Sequence, residues 1–167
     1  MDFFGKYARL SGEDQALRLR LLDWGIAHPG PIGAEAAEQQ VTLLRQEHPD
    51  WWPGQSDSQV LDSLERRHYL RRQDGAIHFL YPLSCEPSDY RVTLEDGRSF
   101  DAMCAIDAMG CAVTFHQKVR VDSHCRDTGE VVCLQLDPEQ GLLEAQPQGA
   151  LFASYFDTTV RQIDFNC

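Results

Sequence analysis

The sequence predicts an α+β fold with a helical first half and a β-rich second half. Amphipathic helical patterns fill the chain to about residue 72, and after Pro87 a hairpin signal and several β-type runs replace them. The 167 residues, 43% of them apolar, suit one compact domain or two small ones sharing a core. We expect a winged-helix-like unit over residues 1–84, and a mixed α/β core with antiparallel strands over residues 85–167.

The first half reads as three helices and a β-ribbon. Residues 14–28 carry an approximate apolar stripe that Ser11 opens and the following Pro-Gly-Pro ends. Residues 32–47, rich in Ala, Glu and Gln, predict a second helix. Ser56 caps a third helix, and after a turn the apolar run 76–83 predicts a strand. Three helices followed by a ribbon is the outline of a winged helix.

A basic cluster falls on the third predicted helix, the position from which a winged helix reads DNA. Its members are Arg66, Arg67, Arg71 and Arg72. Acidic residues lie on the same segment, and 26 acidic against 15 basic residues give the chain a net charge of −11. Such a charge repels phosphate backbones. A solvated or docking face is therefore favoured over nucleic-acid binding.

The second half begins with a β-hairpin. Asp96-Gly97 stands between the alternating runs 90–94 and 98–100, which is the strongest short hairpin signal. Ala- and Met-rich residues 102–110 favour a short helix. The runs that predict further strands are 119–121, 131–136 and 151–155.

The chain contains six cysteines, at positions 85, 104, 111, 125, 133 and 167. No apolar stretch approaches the roughly 20 residues of a membrane span, and the N-terminus lacks a signal-peptide pattern. We therefore expect a cytoplasmic protein with free thiols and no membrane partner. Cys104 and Asp107 stand three residues apart, so on a helix the thiol and the carboxylate share a face and can meet one ligand.

These residues occur in a recognisable order. Asp96-Gly97-Arg98 precedes Cys104-Ala105-Ile106-Asp107, Ser123-His124-Cys125 follows, and Arg161-Gln162 stands ahead of the last residue, Cys167. This arrangement resembles the organomercurial (alkylmercury) lyase family, strongly from about residue 90 to residue 132 and loosely before it. The winged-helix-like first half also fits that family.

The resemblance implies an enzyme that cleaves carbon–mercury bonds by protonolysis without a cofactor. Cys104 and Cys167 would be the mercury-binding, catalytic thiols, Asp107 the proton-handling carboxylate, and Cys125 a structural residue in the core near the site. Mercury is soft and prefers thiolates to oxygen or nitrogen ligands. The mechanism requires a partly dry pocket that raises the pKa of Asp107. The implied partners are a small organomercury substrate and a thiol acceptor; the oligomeric state is not specified.

Three alternatives stay open. Because the chain ends at Cys167, where the family continues, it could be a relative that binds mercury or another soft metal without turnover. It could also be a winged-helix regulator whose thiols sense metal. A structural zinc site built from thiols with His116 and His124 is disfavoured, because the usual C-x-x-C and H-x-x-x-H spacings are missing. Cys111, seven residues after Cys104, is a possible neighbour of the site.

Overall fold

The computed structural model describes residues 10–149. Within this range the chain forms four helices and eight strands, which confirms the α+β class. It divides after Glu86 into two compact units. The sequence analysis places the division after residue 84. That the two units are separate domains stays a prediction.

The first unit opens with three helices, of which the first and the third have serine N-caps. They are α1 (Gly12–Ala27), α2 (Ala34–Glu47) and α3 (Asp57–Arg66). Ser11 accepts a hydrogen bond from the Asp14 amide at the start of α1. At the start of α3, Ser56 and Gln59 form a reciprocal capping box that satisfies amides left free by the helix. These local signals explain why the starts of α1 and α3 were predictable from the sequence.

Three short antiparallel strands follow the helices. They are β1 (Leu70–Gln73), β2 (Ala76–Leu80) and β3 (Leu83–Ser84), in the order β1-β2-β3. The predicted succession of three helices and a ribbon is present. The assignment of the unit as a winged helix remains a prediction.

The prediction that all four arginines of the basic cluster lie on the third helix is wrong. Helix α3 ends at Arg66, and Arg67 is its C-cap. His68 then takes a left-handed conformation, with φ of 63°, which no α-helix continues. Arg71 and Arg72 consequently lie on β1, where they pair with residues of β2. The four arginines are therefore divided between a helix end and a strand.

The second unit contains an antiparallel sheet and one helix. Its elements are β4 (Arg91–Leu94), β5 (Ser99–Ala102), α4 (Ala105–Phe115), β6 (Val119–His124), β7 (Val131–Asp137) and β8 (Gly141–Gln146). Its strands lie in the order β5-β4-β6-β7-β8. The predicted hairpin is β4–β5, and Gly97 has the positive φ of 88° that its turn requires. The sequence did not predict β8, and the predicted strand 151–155 lies outside the described residues.

Helix α4 packs on the sheet of the second unit and contacts β4, β5, β6 and β7. Its buried residues are Ala108, Cys111 and Ala112, all small enough for close approach to the sheet. Side chains alternate along β6, where Val119, Val121 and Ser123 are buried. Among the residues of 10–149, no helix has the length and apolar character needed to cross a bilayer.

Candidate active site

Cys104 and Asp107 meet at the N-terminus of α4. Cys104 is the N-cap residue, with φ of −155° and ψ of 177°, and Asp107 lies in the first turn. The Cys104 Sγ donates a hydrogen bond to the Asp107 Oδ2 at 3.1 Å. The structure therefore brings together the thiol and the carboxylate that the sequence paired.

The predicted helix start at residue 102 is wrong. The amide of Ala102 donates to the carbonyl of Tyr90 at 2.9 Å, so this residue still belongs to the sheet and ends β5. The helix begins three residues later. Cys104 thus occupies the extended N-cap position, from which short polar side chains ordinarily reach the third helical residue. Its sulfur makes no cap bond to a backbone amide and contacts the Asp107 side chain instead.

The surroundings of this pair shield its hydrogen bond from water. Only 7% of Cys104 is exposed, whereas Asp107 is half-buried and thus in contact with solvent. Hydrogen bonds shielded from water are electrostatically stronger than exposed ones. The positive end of a helix dipole also stabilises a thiolate placed at its N-terminus. The pair can therefore exchange a proton and present sulfur as an anion to a soft metal.

Cys111 is a second thiol in contact with Asp107. It lies one turn further along α4, is fully buried, and donates a hydrogen bond to the Asp107 backbone carbonyl at 3.2 Å. Helical side chains point toward the N-terminus, which directs this sulfur toward the preceding turn. The sequence identified Cys111 as a possible site neighbour on spacing alone.

Cys125 is not in the core, contrary to the expectation drawn from the resemblance. It is partly exposed in the loop between β6 and β7, where its amide donates to Glu130 and its carbonyl accepts from Gly129, both at 2.8 Å. Hydrogen bonds from the Thr128 hydroxyl and from the amides of Thr128 and Asp127 lower the pKa of the Cys125 thiol. Its partial exposure in this loop, outside the regular strand pairing of β6 and β7, is why the core placement fails.

The alkylmercury lyase (MerB) family model matches residues 83–159, which include Cys104, Asp107, Cys111 and Cys125. The resemblance to the alkylmercury lyase family is confirmed. The structure is also similar to the crystal structure of the mercury-bound form of MerB2, with a TM-score of 0.55 and 22% sequence identity. At 22% sequence identity, the similarity to MerB2 shows a shared fold and nothing further.

The similarity covers 86% of this chain and 64% of the MerB2 chain, so this chain spans less than two thirds of that protein's length. No curated protein matches the sequence. Of the three residues that the resemblance implies to be catalytic, Cys104 and Asp107 lie within the described residues. Cys167 lies outside the described residues.

Cys133 and Cys85 have surroundings that suppress ionisation. Cys133 stands opposite Asp122 in the β6–β7 register, and burial raises the pKa of its thiol. Burial also raises the pKa of the Cys85 thiol, to about 11. The sequence did not reveal the proximity of Cys133 and Asp122, because the strand register that creates it involves residues eleven positions apart.

No group of three or more His, Cys, Asp or Glu side chains within residues 10–149 is arranged to hold a metal ion. His116 caps the C-terminus of α4 in the left-handed conformation, and His124 ends β6. His116 and His124 are both exposed to solvent. The zinc alternative therefore has no candidate centre among the residues described.

Two arginines of the basic cluster are held by carboxylates. The Arg72 guanidinium binds both Asp62 and Glu65. The Arg67 Nη2 lies 2.9 Å from the Oδ2 of Asp14. These charges are largely neutralised within the first unit, so the cluster is a weaker phosphate-binding surface than its sequence indicated.

Proposed function

We propose that this protein is an organomercurial lyase that cleaves carbon–mercury bonds by protonolysis. The observation that carries the proposal is the 3.1 Å hydrogen bond between the Cys104 Sγ and the Asp107 Oδ2. The family match over residues 83–159 supports it by naming the chemistry of the relatives. Cys104 is the first mercury-binding thiol, and Asp107 carries the proton.

The reaction begins with proton transfer from the Cys104 thiol to the Asp107 carboxylate. A free thiol is only a few per cent ionised at neutral pH, so an adjacent base increases the supply of thiolate. The thiolate then binds the mercury of the substrate, as expected for a soft ligand and a soft metal. This coordination places the carbon of the mercury–carbon bond beside a newly protonated carboxyl group.

Protonolysis returns the same proton to carbon. Asp107 donates it, the electron pair of the mercury–carbon bond forms the new C–H bond, and a hydrocarbon leaves while mercury stays on sulfur. The step needs no oxidant and no organic cofactor, because the proton, the electron pair and the metal are all accounted for. A second thiolate then stabilises the mercuric product, and Cys167 is the residue that the resemblance assigns to this role. An external thiol acceptor removes the ion.

Single-turnover release of benzene from phenylmercury, in the presence of excess thiol, tests this proposal. We expect release by the wild-type chain and its loss in Cys104→Ser and Asp107→Ala. Cys133→Ser is the matched control, because it removes a buried thiol from β7 and leaves α4 unchanged. Equal release by wild type and Cys104→Ser would contradict the proposal.

The same assay separates the lyase from the other classes. Tight mercury binding without benzene would identify a protein that sequesters the metal. Salt-dependent DNA binding would identify a regulator, a reading that the carboxylate-bound Arg67 and Arg72 disfavour.

A further inference from the structure

A cavity of about 590 Å³ lies in the first unit, lined by residues of α1, of α2 and of the loop that follows α2. Its volume falls within the range typical of pockets for small organic ligands. Leu19 and Leu44 supply apolar surface, and the indoles of Trp24 and Trp51 line the cavity as well. The proposed carbon–mercury cleavage uses none of these residues, because the thiol and the carboxylate of α4 belong to the second unit.

Both indoles of the cavity are stacked on histidines. The ring centroids of Trp24 and His28 lie 4.2 Å apart, and those of Trp51 and His48 lie 3.9 Å apart. Stacking restricts the rotation of each indole, so a ligand that packs against it loses less free energy to ordering the side chain. Indole is also the aromatic side chain that attracts cations most strongly. These walls therefore suit an apolar body that carries a positive charge.

A buried amide adds a polar group to the cavity. Gln40 lines it although the residue is only 7% exposed. The Gln40 Nε2 donates to the Ala36 carbonyl at 3.4 Å, and among residues 10–149 no donor bonds to its Oε1. The only fully enclosed side-chain atom of this range without a partner is the Arg45 Nε, so the Gln40 oxygen still reaches the cavity. A ligand that displaces water from this oxygen must offer a donor in its place.

The charges of the lining favour a cation. Two carboxylates, those of Asp23 and Glu47, stand against one guanidinium, that of Arg20, so the formal charge is −1 with histidine neutral. The Arg20 Nη2 lies 2.9 Å from each carboxylate oxygen of Glu47, which joins α1 to α2 and engages the guanidinium. An anion would meet the excess negative charge of the lining and of a chain with net charge −11.

We propose that this cavity binds a small organic cation, an ammonium group attached to an aromatic or aliphatic body. The body packs against Trp24 and Trp51, and the ammonium group donates a hydrogen bond to the Gln40 Oε1. The carboxylates of Asp23 and Glu47 balance its charge. Because carbon–mercury cleavage requires no such ligand, the first unit has a binding role of its own, independent of the proposed lyase activity.

Nuclear magnetic resonance titration of the full-length chain with phenethylammonium tests this proposal. The neutral comparison ligand is 2-phenylethanol, which has the same number of non-hydrogen atoms. At about pH 8 the amine is charged and ordinary histidines are neutral. We expect the indole N–H signals of Trp24 and Trp51 to shift, and that of Trp52, which donates to Asp14, to shift less. The Kd of the ammonium should be about tenfold lower than that of the alcohol.

No shift with phenethylammonium, or equal Kd values for the two ligands, would overturn the proposal. Glu47→Gln removes one carboxylate and keeps its shape, so the Kd of the ammonium should rise about fivefold while that of the alcohol changes little. Glu35→Gln is the matched control, because it makes the same charge change on an exposed residue of α2 outside the cavity. Equal ammonium affinity in these two variants would also overturn the proposal.

The amide is tested separately by Gln40→Met, which keeps the length of the side chain and removes the acceptor. We expect the Kd of the ammonium to rise about fivefold. Circular dichroism checks that each variant is folded. A folded Gln40→Met chain that binds the ammonium as tightly as the wild type would remove Gln40 from the site and overturn the proposed hydrogen bond.

Discussion

The Cys104 thiol donates a hydrogen bond to the Asp107 carboxylate across the first turn of α4. Both partners belong to one four-residue segment, so their separation follows from the local backbone. An extended N-cap followed by helical residues brings the two side chains together. The candidate chemistry thus rests on a relationship that the helix start itself creates.

Asp107→Asn tests the proton-carrying role of the carboxylate. The amide has nearly the same shape but cannot deliver the proton, so we expect hydrocarbon release to fall by about 100-fold or more. Mercury should still bind Cys104, but more slowly, because the amide cannot take the proton of the thiol. Asp101→Asn is the control, because Asp101 lies on β5 and its Oδ1 is 3.3 Å from the Arg91 Nη1. Single-turnover assays that find wild-type rates in Asp107→Asn would remove the carboxylate from the mechanism.

Alkylation rates test the environment of Cys125. Its hydrogen bonds, the Thr128 hydroxyl first, lower the thiol pKa, whereas burial raises the pKa of Cys133. More thiolate at pH 7 means faster reaction, so iodoacetamide should modify Cys125 well before Cys133. Thr128→Val should slow Cys125 several-fold at pH 7 and leave Cys133 unchanged. Peptide mass spectrometry measures both rates; identical rates for the two cysteines would refute the assignment.

The raised pKa of the Cys85 thiol predicts that the free energy of unfolding falls in alkaline solution. Burial raises its pKa from 9.0 to about 11, so the native state retains a proton that the unfolded chain releases. The stabilising effect is complete below pH 9 and disappears as the pH rises toward 11. The shift corresponds to about 2–3 kcal/mol. Urea unfolding of the wild type should weaken over this range more than that of Cys85→Ala, and parallel curves would exclude the effect.

Asp14 is a buried acceptor whose removal should destabilise the first unit. It is 4% exposed, accepts a hydrogen bond from the Trp52 Nε1 at 2.9 Å and pairs with Arg67. Asp14→Ala leaves an indole N–H without its acceptor, and we expect a loss of about 2 kcal/mol. Part of the guanidinium reaches water, which limits the cost. Asp50→Asn, at an exposed position, should change the free energy of unfolding by less than about 0.5 kcal/mol in the same urea titration.

Features set by neighbouring residues were predictable from the sequence. The Ser56 cap, the Asp96-Gly97 turn and the pairing of Cys104 with Asp107 all depend on positions within four residues. Their physical causes are capping, the backbone freedom of glycine and helical spacing, and each depends only on residues close together in the sequence. For the same reason the spacing of Cys111 pointed toward the site before its contact was known.

Features set by distant residues were not predictable in this way. Arg72 moved from a helix to β1 because the chain turns at His68, and its partner Asp62 lies ten residues away. Strand β8 contains Leu, Glu and Ala, which do not favour strands, and its conformation comes from pairing with β7. Cys133 faces Asp122 only through the strand register. Tertiary pairing, which a linear pattern does not record, decided each of these cases.

The amide of Ala108 donates to the Cys104 carbonyl at 2.9 Å and closes the turn that holds sulfur and carboxylate together. Helix ends open far more often than whole domains unfold. Each opening of this one turn would separate the reactive groups while the sheet beneath stayed intact. The free energy of opening this turn therefore limits the fraction of time for which the site is assembled, and hydrogen exchange at the Ala108 amide measures that free energy.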